Sequence, residues 1–405
     1  MPRRRILLLL VTGLLAAGPF AGAQPIDREH LDIGAYGRFS HILDGQGIYD
    51  NLLSSYDYGI YGLSLDYSTR PDDPQGAWYN RAWNYPVFSL GLSYARQGSL
   101  AFKHDSRLGD ILNLYGSARF DFVRTSRFRF GPLVELGLAF TGERFEIGRN
   151  PFNLYVGSRL FALIGAGLQA GWLITPHWEL QAGAYLTHHS NGMLRAPNLG
   201  INEMAFGAGL RYHLSETAWV PGRQLPKPEQ PDFGKGLHWN VYAAAGVHSC
   251  PVELDAAFKR AEEGGPLPAD STVPSRVRLL AGVELSWRYT PIFATGVGAE
   301  LGYNANNYRE TDLILEGRED PRGYSPLRAG LYLIQEFRYR QVAAHIIWGA
   351  YLFKRTGLTE DVGRTFQKIG VRYRFGRTGF YAGLDMRAHS FDRSYCLEWS
   401  AGCSF

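Results

Sequence analysis

After its first two dozen residues this 405-residue chain has no apolar run long enough for a membrane-crossing helix. Charge of one sign is also missing. A formal net charge of +4 is small for this length, and it gives no electrostatic footprint for nucleic acid. Cysteine is scarce too: three residues, Cys250, Cys396 and Cys403, allow at most one disulfide and no dense framework. Proline is concentrated where a ladder would fail. Pro221, Pro226, Pro228 and Pro231 fall within 216–235, and a residue without an N–H cannot serve a central strand.

The chain is rich in Tyr (24), Phe (23), Trp (9) and Gly (48), arranged in segments of about ten residues with strict alternation. Residues 1–23 read as a secretory signal peptide. Arg3, Arg4 and Arg5 start it, an apolar core runs from Ile6 to Leu15, and Ala21-Gly22-Ala23 closes it. Its removal would take three arginines and no acid, leaving +1. An exported chain with no apolar helix but many alternating strands is expected to be an all-β, antiparallel transmembrane β-barrel of the outer-membrane type. Closing the sheet satisfies every backbone polar group inside lipid. A soluble β-sandwich is the alternative. The last segment favours the barrel: Tyr395, Leu397, Trp399, Ala401, Cys403 and Phe405 share one face. A final strand ending in an aromatic resembles the terminal signal read by bacterial outer-membrane assembly.

Eight strands are expected in the first half, near 31–43, 57–68, 86–97, 111–125, 128–141, 156–174, 177–189 and 202–214. Eight more are expected near 236–248, 275–289, 293–305, 327–340, 341–354, 365–375, 378–390 and 395–405. The expected organisation is therefore a signal peptide (1–23), a barrel region (24–215), a proline-rich linker (216–235) and a second barrel region (236–405). About sixteen strands close either as one barrel or as two of eight, and counts near twelve or fourteen also fit. A Cys250–Cys396 disulfide is open only if the second half closes on itself.

The chemistry concentrates at one strand end. In the strand from Trp178 to Thr187, Leu180, Ala182, Ala184 and Leu186 lie on the apolar face with Trp178. His188 and Ser190 continue that face. Two residues apart in a strand, a base and a hydroxyl project together, and a serine needs a neighbouring base to act as a nucleophile. A polar pair at the membrane rim is the bland alternative. His189 has the opposite parity and is expected to be interior. Asp385, Arg387, His389 and Glu398 are expected to line a polar lumen.

From Leu186 to Glu203 the chain reads Leu-Thr-His-His-Ser-Asn-Gly-Met-Leu-Arg-Ala-Pro-Asn-Leu-Gly-Ile-Asn-Glu. His188-x-Ser190-Asn191, followed by Pro197-Asn198-x-Gly200, resembles the lipid A 3-O-deacylase (PagL) and acyloxyacyl hydrolase-like family. Asn150-Pro151-Phe152-Asn153 fits the same picture. The resemblance implies a serine esterase that removes an ester-linked acyl chain from lipid A in the outer leaflet of the bacterial outer membrane. Ser190 would be the nucleophile and His188 the base, with Asn191 and Gly192 as oxyanion donors. Arg195 would meet a lipid A phosphate or remain a solvated loop charge. No cofactor, metal or nucleic-acid partner is implied, and homodimerisation stays open. The family's orienting acid falls at Asn202 in this chain. Glu203, one residue later, is the alternative orienter if a bulge shifts the register. A non-catalytic channel or structural barrel, and a phospholipid esterase, remain competing functions.

Overall fold

A computed structural model describes residues 30–43, 53, 55–70, 73, 76–100, 102, 106–217, 219, 221, 224, 227–249, 254, 258, 263–265, 275–305, 319–358, 363–376, 378–389 and 393–405. The expected signal peptide lies outside them, as does Cys250 and with it the disulfide considered with Cys396. The chain divides into two compact units, residues 1–190 with 200–231, and 191–199 with 232–405.

The first unit contains β1 (Leu31–Ile42), β2 (Asp57–Ser68), a short helix α1 (Ala77–Ala82), β3 (Val87–Ala95) and β4 (Ile111–Arg119). Then follow β5 (Val123–Arg124), β6 (Phe128–Thr141), β7 (Leu160–Leu173), β8 (Trp178–Ser190) and β9 (Ile201–His213). The hydrogen-bonded order is β4-β3-β2-β1-β9-β8-β7-β6, and β6 pairs back with β4, so eight antiparallel strands close a ring. Strand β5 is a two-residue spur on β6.

The second unit holds β10 (Gly236–His248), β11 (Arg276–Thr290), β12 (Phe293–Asn304), β13 (Glu319–Tyr339), β14 (Val342–Leu358), β15 (Thr365–Arg374), β16 (Phe380–His389) and β17 (Arg393–Ser404). They form a closed barrel, β17 returning to β10 through Ala401↔Ala243 and its neighbours. Of the two closures left open by sequence, the chain makes two eight-stranded barrels. Among the described residues no helix is long and apolar enough to cross a membrane.

These strands form because alternation sorts side chains between two unlike environments. In β8, Trp178, Leu180, Ala182 and Leu186 are exposed, while Glu179, Gln181, Tyr185 and Thr187 are buried. An exposed apolar face over a buried polar one inverts the soluble-protein pattern and suits a lipid solvent. The interior is held by ion pairs. Glu179 accepts from Arg129 Nε at 3.1 Å and Arg211 Nη1 at 3.2 Å. In the second barrel both Glu284 oxygens accept from Arg372 at 2.7 Å. Buried charges persist only when paired in this way.

Four expected strands differ by four residues or more at one end, among them β14, which runs on to Leu358 rather than stopping at 354. β4 stops at Arg119 rather than running to 125, because Phe120 N turns to Pro132 O and only Val123–Arg124 rejoins the sheet. β7 begins at Leu160 rather than 156, since Val156 N donates to Asn153 Oδ1 in the preceding loop. β13 starts as early as Glu319, but its pairing with β14 shifts register between Glu319 and Tyr324, Tyr324 and Arg328, and Ala329 and Gly330. Such irregularities erase the two-residue period by which sequence reveals a strand.

Candidate active site

Strand pairing builds the site. His188 stands opposite Ile164 on β7 and opposite Asn202 on β9. Directly opposed residues put their side chains on the same face of the sheet. His188 Nδ1 and Asn202 Oδ1 are 2.7 Å apart. A carboxamide oxygen only accepts, so the imidazole donates from Nδ1 and leaves Nε2 as its basic nitrogen. Asn202 is itself held by its backbone, whose carbonyl accepts from Leu43 N at 2.7 Å. The exposed apolar side chains of Leu186 (56 %), Phe206 (56 %) and Met204 continue this outer face along β8 and β9.

Ser190 closes β8, opposite Ala162, with the same parity as His188, and is 2 % exposed. Glu203 does not share this face. It lies opposite Thr187, is buried at 2 %, and the β8–β9 register runs without a shift through it. The bulge that would have brought Glu203 to His188 is absent from that pairing. His189 points inward as expected, with Nε2 3.1 Å from Asn113 Oδ1 and its ring edge-on to Phe161.

The segment after Ser190 is tied down by its own asparagines. Asn191 N donates to Asn198 Oδ1 at 3.0 Å, and Asn191 Nδ2 donates to Arg195 O at 2.9 Å. Gly192 and Met193 both adopt positive φ, 59° and 58°, so the chain turns sharply at this point. Arg195 is half-buried. Asn191 thus spends its backbone donor and one amide hydrogen on the loop, and a second amide hydrogen remains. Sequence reading singled out Pro197-Asn198-x-Gly200 as a landmark without giving its members work. Asn198 now has a task, fixing the turn that follows Ser190.

Gly200 has another. Its φ is +74°, and a Cβ there would lie 2.8 Å from His188 Cε1 and 2.9 Å from the His189 carbonyl. Its N–H donates to Tyr155 O at 3.1 Å. The glycine lets the backbone lie against the imidazole without pushing it. Gly200→Ala is therefore expected to displace the His188 ring and to lower turnover about tenfold with the barrel still folded, because small misplacements of a reacting group are costly. Comparing turnover with heat-dependent electrophoretic mobility separates the two effects. Unchanged turnover would mean that the ring position is not critical.

Asn150 and Asn153 also organise a loop. Asn150 Oδ1 accepts from Arg107 N at 2.8 Å, and Asn153 Nδ2 donates to Arg107 O at 3.0 Å. In the second barrel, Asp385, Arg387, His389 and Glu398 are all buried in the interior, and His389 Nε2 is 3.0 Å from Tyr351 Oη. Arg387-Ala388-His389-Ser390-Phe391 resembles Thr187-His188-His189-Ser190-Asn191 in sequence, and its His389 is buried. Ser390 and Phe391 lie outside the described residues. Among the described residues no cluster of three or more His, Cys, Asp or Glu side chains is arranged to hold a metal ion.

Comparison with known proteins gives two family matches. Residues 59–211 match the model described as lipid A 3-O-deacylase (PagL), a span that contains His188, Ser190 and Asn202. Residues 238–405 match the acyloxyacyl hydrolase C-terminal domain. No curated relative matches. Similar solved structures include the outer membrane enzyme PagL, at 18% identity and a TM-score of 0.29, covering 44% of this chain and 97% of that one. Neisserial surface protein A aligns at 12% identity and a TM-score of 0.29, covering 45% and 96%. A triple mutant of Rhodopseudomonas blastica porin aligns at 10% identity and a TM-score of 0.18, covering 93% and 100%.

Proposed function

Because the chain belongs to the lipid A 3-O-deacylase (PagL) and acyloxyacyl hydrolase-like family of outer-membrane proteins, we propose that it is an ester hydrolase that removes an ester-linked acyl chain from lipid A. Ser190 is the nucleophile, His188 the general base and Asn202 the residue that orients it. The observation that carries this reading is the 2.7 Å bond from His188 Nδ1 to Asn202 Oδ1, which commits Nε2 to the proton transfer.

The reaction follows from these roles. His188 Nε2 takes the Ser190 proton as Oγ attacks the ester carbonyl, and the carbonyl oxygen becomes an oxyanion. Asn191 and Gly192, next in the chain, are the candidates to donate to it. Collapse breaks the bond to the sugar oxygen, which takes the proton from His188 and leaves as an alcohol. Water, deprotonated by the same imidazole, then releases the fatty acid from Ser190. With a periplasmic N-terminus β8 runs outward, so the site opens at the outer leaflet, where lipid A resides. There an acyl chain reaches the outer face sideways from the membrane.

The test is mass spectrometry of lipid A incubated with the purified, folded protein. Loss of the mass of one acyl chain, with release of the matching free fatty acid, is expected. Lipid A of unchanged mass in the presence of a folded barrel would overturn the reading, and hydrolysis of added phospholipid instead would reassign the substrate.

A further inference from the structure

At one end of the second barrel's interior, Tyr395 on β17 is surrounded by donors. Its Oη accepts from Arg328 Nη1 at 2.7 Å and from Asn304 Nδ2 at 3.0 Å. The Arg278 guanidinium lies 5.1 Å from its ring centroid and that of Arg328 5.4 Å. Arg278 is 1 % exposed. Its Nε lies 3.4 Å from Glu398 Oε1, but Nη1 and Nη2 are both buried with no hydrogen-bond partner among the described residues.

The neighbouring carboxylates are already committed. Arg387 donates from Nε to Glu398 at 2.6 Å and from Nη2 to Glu300 at 2.5 Å. Lys368 Nζ lies 2.7 Å from Glu300 and 3.0 Å from Glu398. Three cations, Arg278, Lys368 and Arg387, thus share two carboxylates, and the excess positive charge coincides with two donors that have no acceptor among the described residues. Buried donors and buried charge are both costly when left unmet. A guanidinium fork matches an oxyanion with two acceptor atoms, and phosphate is such an oxyanion.

We propose that the second barrel binds a phosphate group, free or carried on a lipid headgroup, on the Arg278 Nη1–Nη2 fork beside Tyr395. The site is separate from the hydrolytic site proposed above and does not depend on its activity. It gives the second barrel a binding role of its own.

The test uses the full-length Ser190→Ala protein in detergent, so that lipid A is not consumed during the measurement. Isothermal titration calorimetry is run with inorganic phosphate, with lipid A, and with lipid A stripped of its phosphates. Arg278→Gln and Arg278→Lys are compared in the same background, with heat-dependent electrophoretic mobility reporting a folded barrel. Arg278→Gln is expected to weaken phosphate binding about tenfold or more, and Arg278→Lys, which keeps the charge and loses the fork, by less. If the Gln variant does not fold, the Lys variant carries the comparison. Binding of inorganic phosphate supports a free anion as ligand. Binding of lipid A only while it keeps its phosphates supports the headgroup. No binding of inorganic phosphate, together with lipid A binding indifferent to its phosphates, would overturn the proposal, as would affinities unchanged by either Arg278 substitution. Because hydrolysis is not the readout, these outcomes stand apart from success or failure of the deacylation assay.

Discussion

Ser190→Ala and His188→Ala are each expected to lower kcat/KM for deacylation by about 10,000-fold, and the double variant is expected to be no worse than either single one. A nucleophile and its base act as a unit. Removing the hydroxyl leaves the base nothing to deprotonate, and removing the imidazole leaves a serine that is almost never ionised at neutral pH. Binding of lipid A does not use the Ser190 proton transfer, so the loss should fall on kcat and leave KM nearly unchanged. Both positions end the outer face of β8, and Ser190 faces the small Ala162, so the ring of eight strands should close normally. Release of fatty acid from lipid A under single-turnover conditions measures the effect. Losses smaller than about tenfold in both variants would remove Ser190 as the nucleophile. Strict additivity of the two losses would mean that they do not act on one proton.

Most of this arrangement was legible in the order of residues, for a physical reason. A strand between lipid and a polar lumen must alternate, so Leu186, His188 and Ser190 declared one face, and Thr187 and His189 the other, before any pairing was known. The same parity separated Asn202 from Glu203. The unbroken β8–β9 register then placed Asn202 at His188 and turned Glu203 inward. Closure was not legible. Whether sixteen strands make one ring or two depends on β1 meeting β9 and β10 meeting β17, and every strand would alternate in the same way in either ring. The work of Asn198 and Gly200 was hidden as well. One acts through a side-chain bond to the Asn191 N–H, the other through a positive φ that clears the His188 ring. Neither property has a period. The excess charge around Arg278 was out of reach for a different reason, because its neighbours come from five other strands and only closure brings them together.

Asn202→Leu is expected to lower deacylation by about 100- to 1000-fold, whereas Asn202→Asp is expected to raise it by about tenfold. Asn202 Oδ1 accepts from His188 Nδ1 and so fixes both the ring's orientation and its tautomer. Leucine has nothing to accept with. The ring would then rotate, and Nε2 would carry the proton for part of the time, when it cannot act as a base. Aspartate keeps the acceptor in place and adds a negative charge beside the imidazolium that the proposed attack by Ser190 would form. Two unit charges about 4 Å apart attract by about 4 kcal/mol near a protein surface, and water reaching the outer end of the strand leaves only a fraction of that. A fraction of about a third corresponds to the tenfold gain. The pair of variants separates orientation from charge, and single-turnover rates of fatty-acid release measure both. If Leu is slow and Asp is no faster than Asn, orientation is the whole contribution of this position. If Leu is as fast as the parent protein, the His188–Asn202 bond has no part in the reaction, and the base must be held by something else.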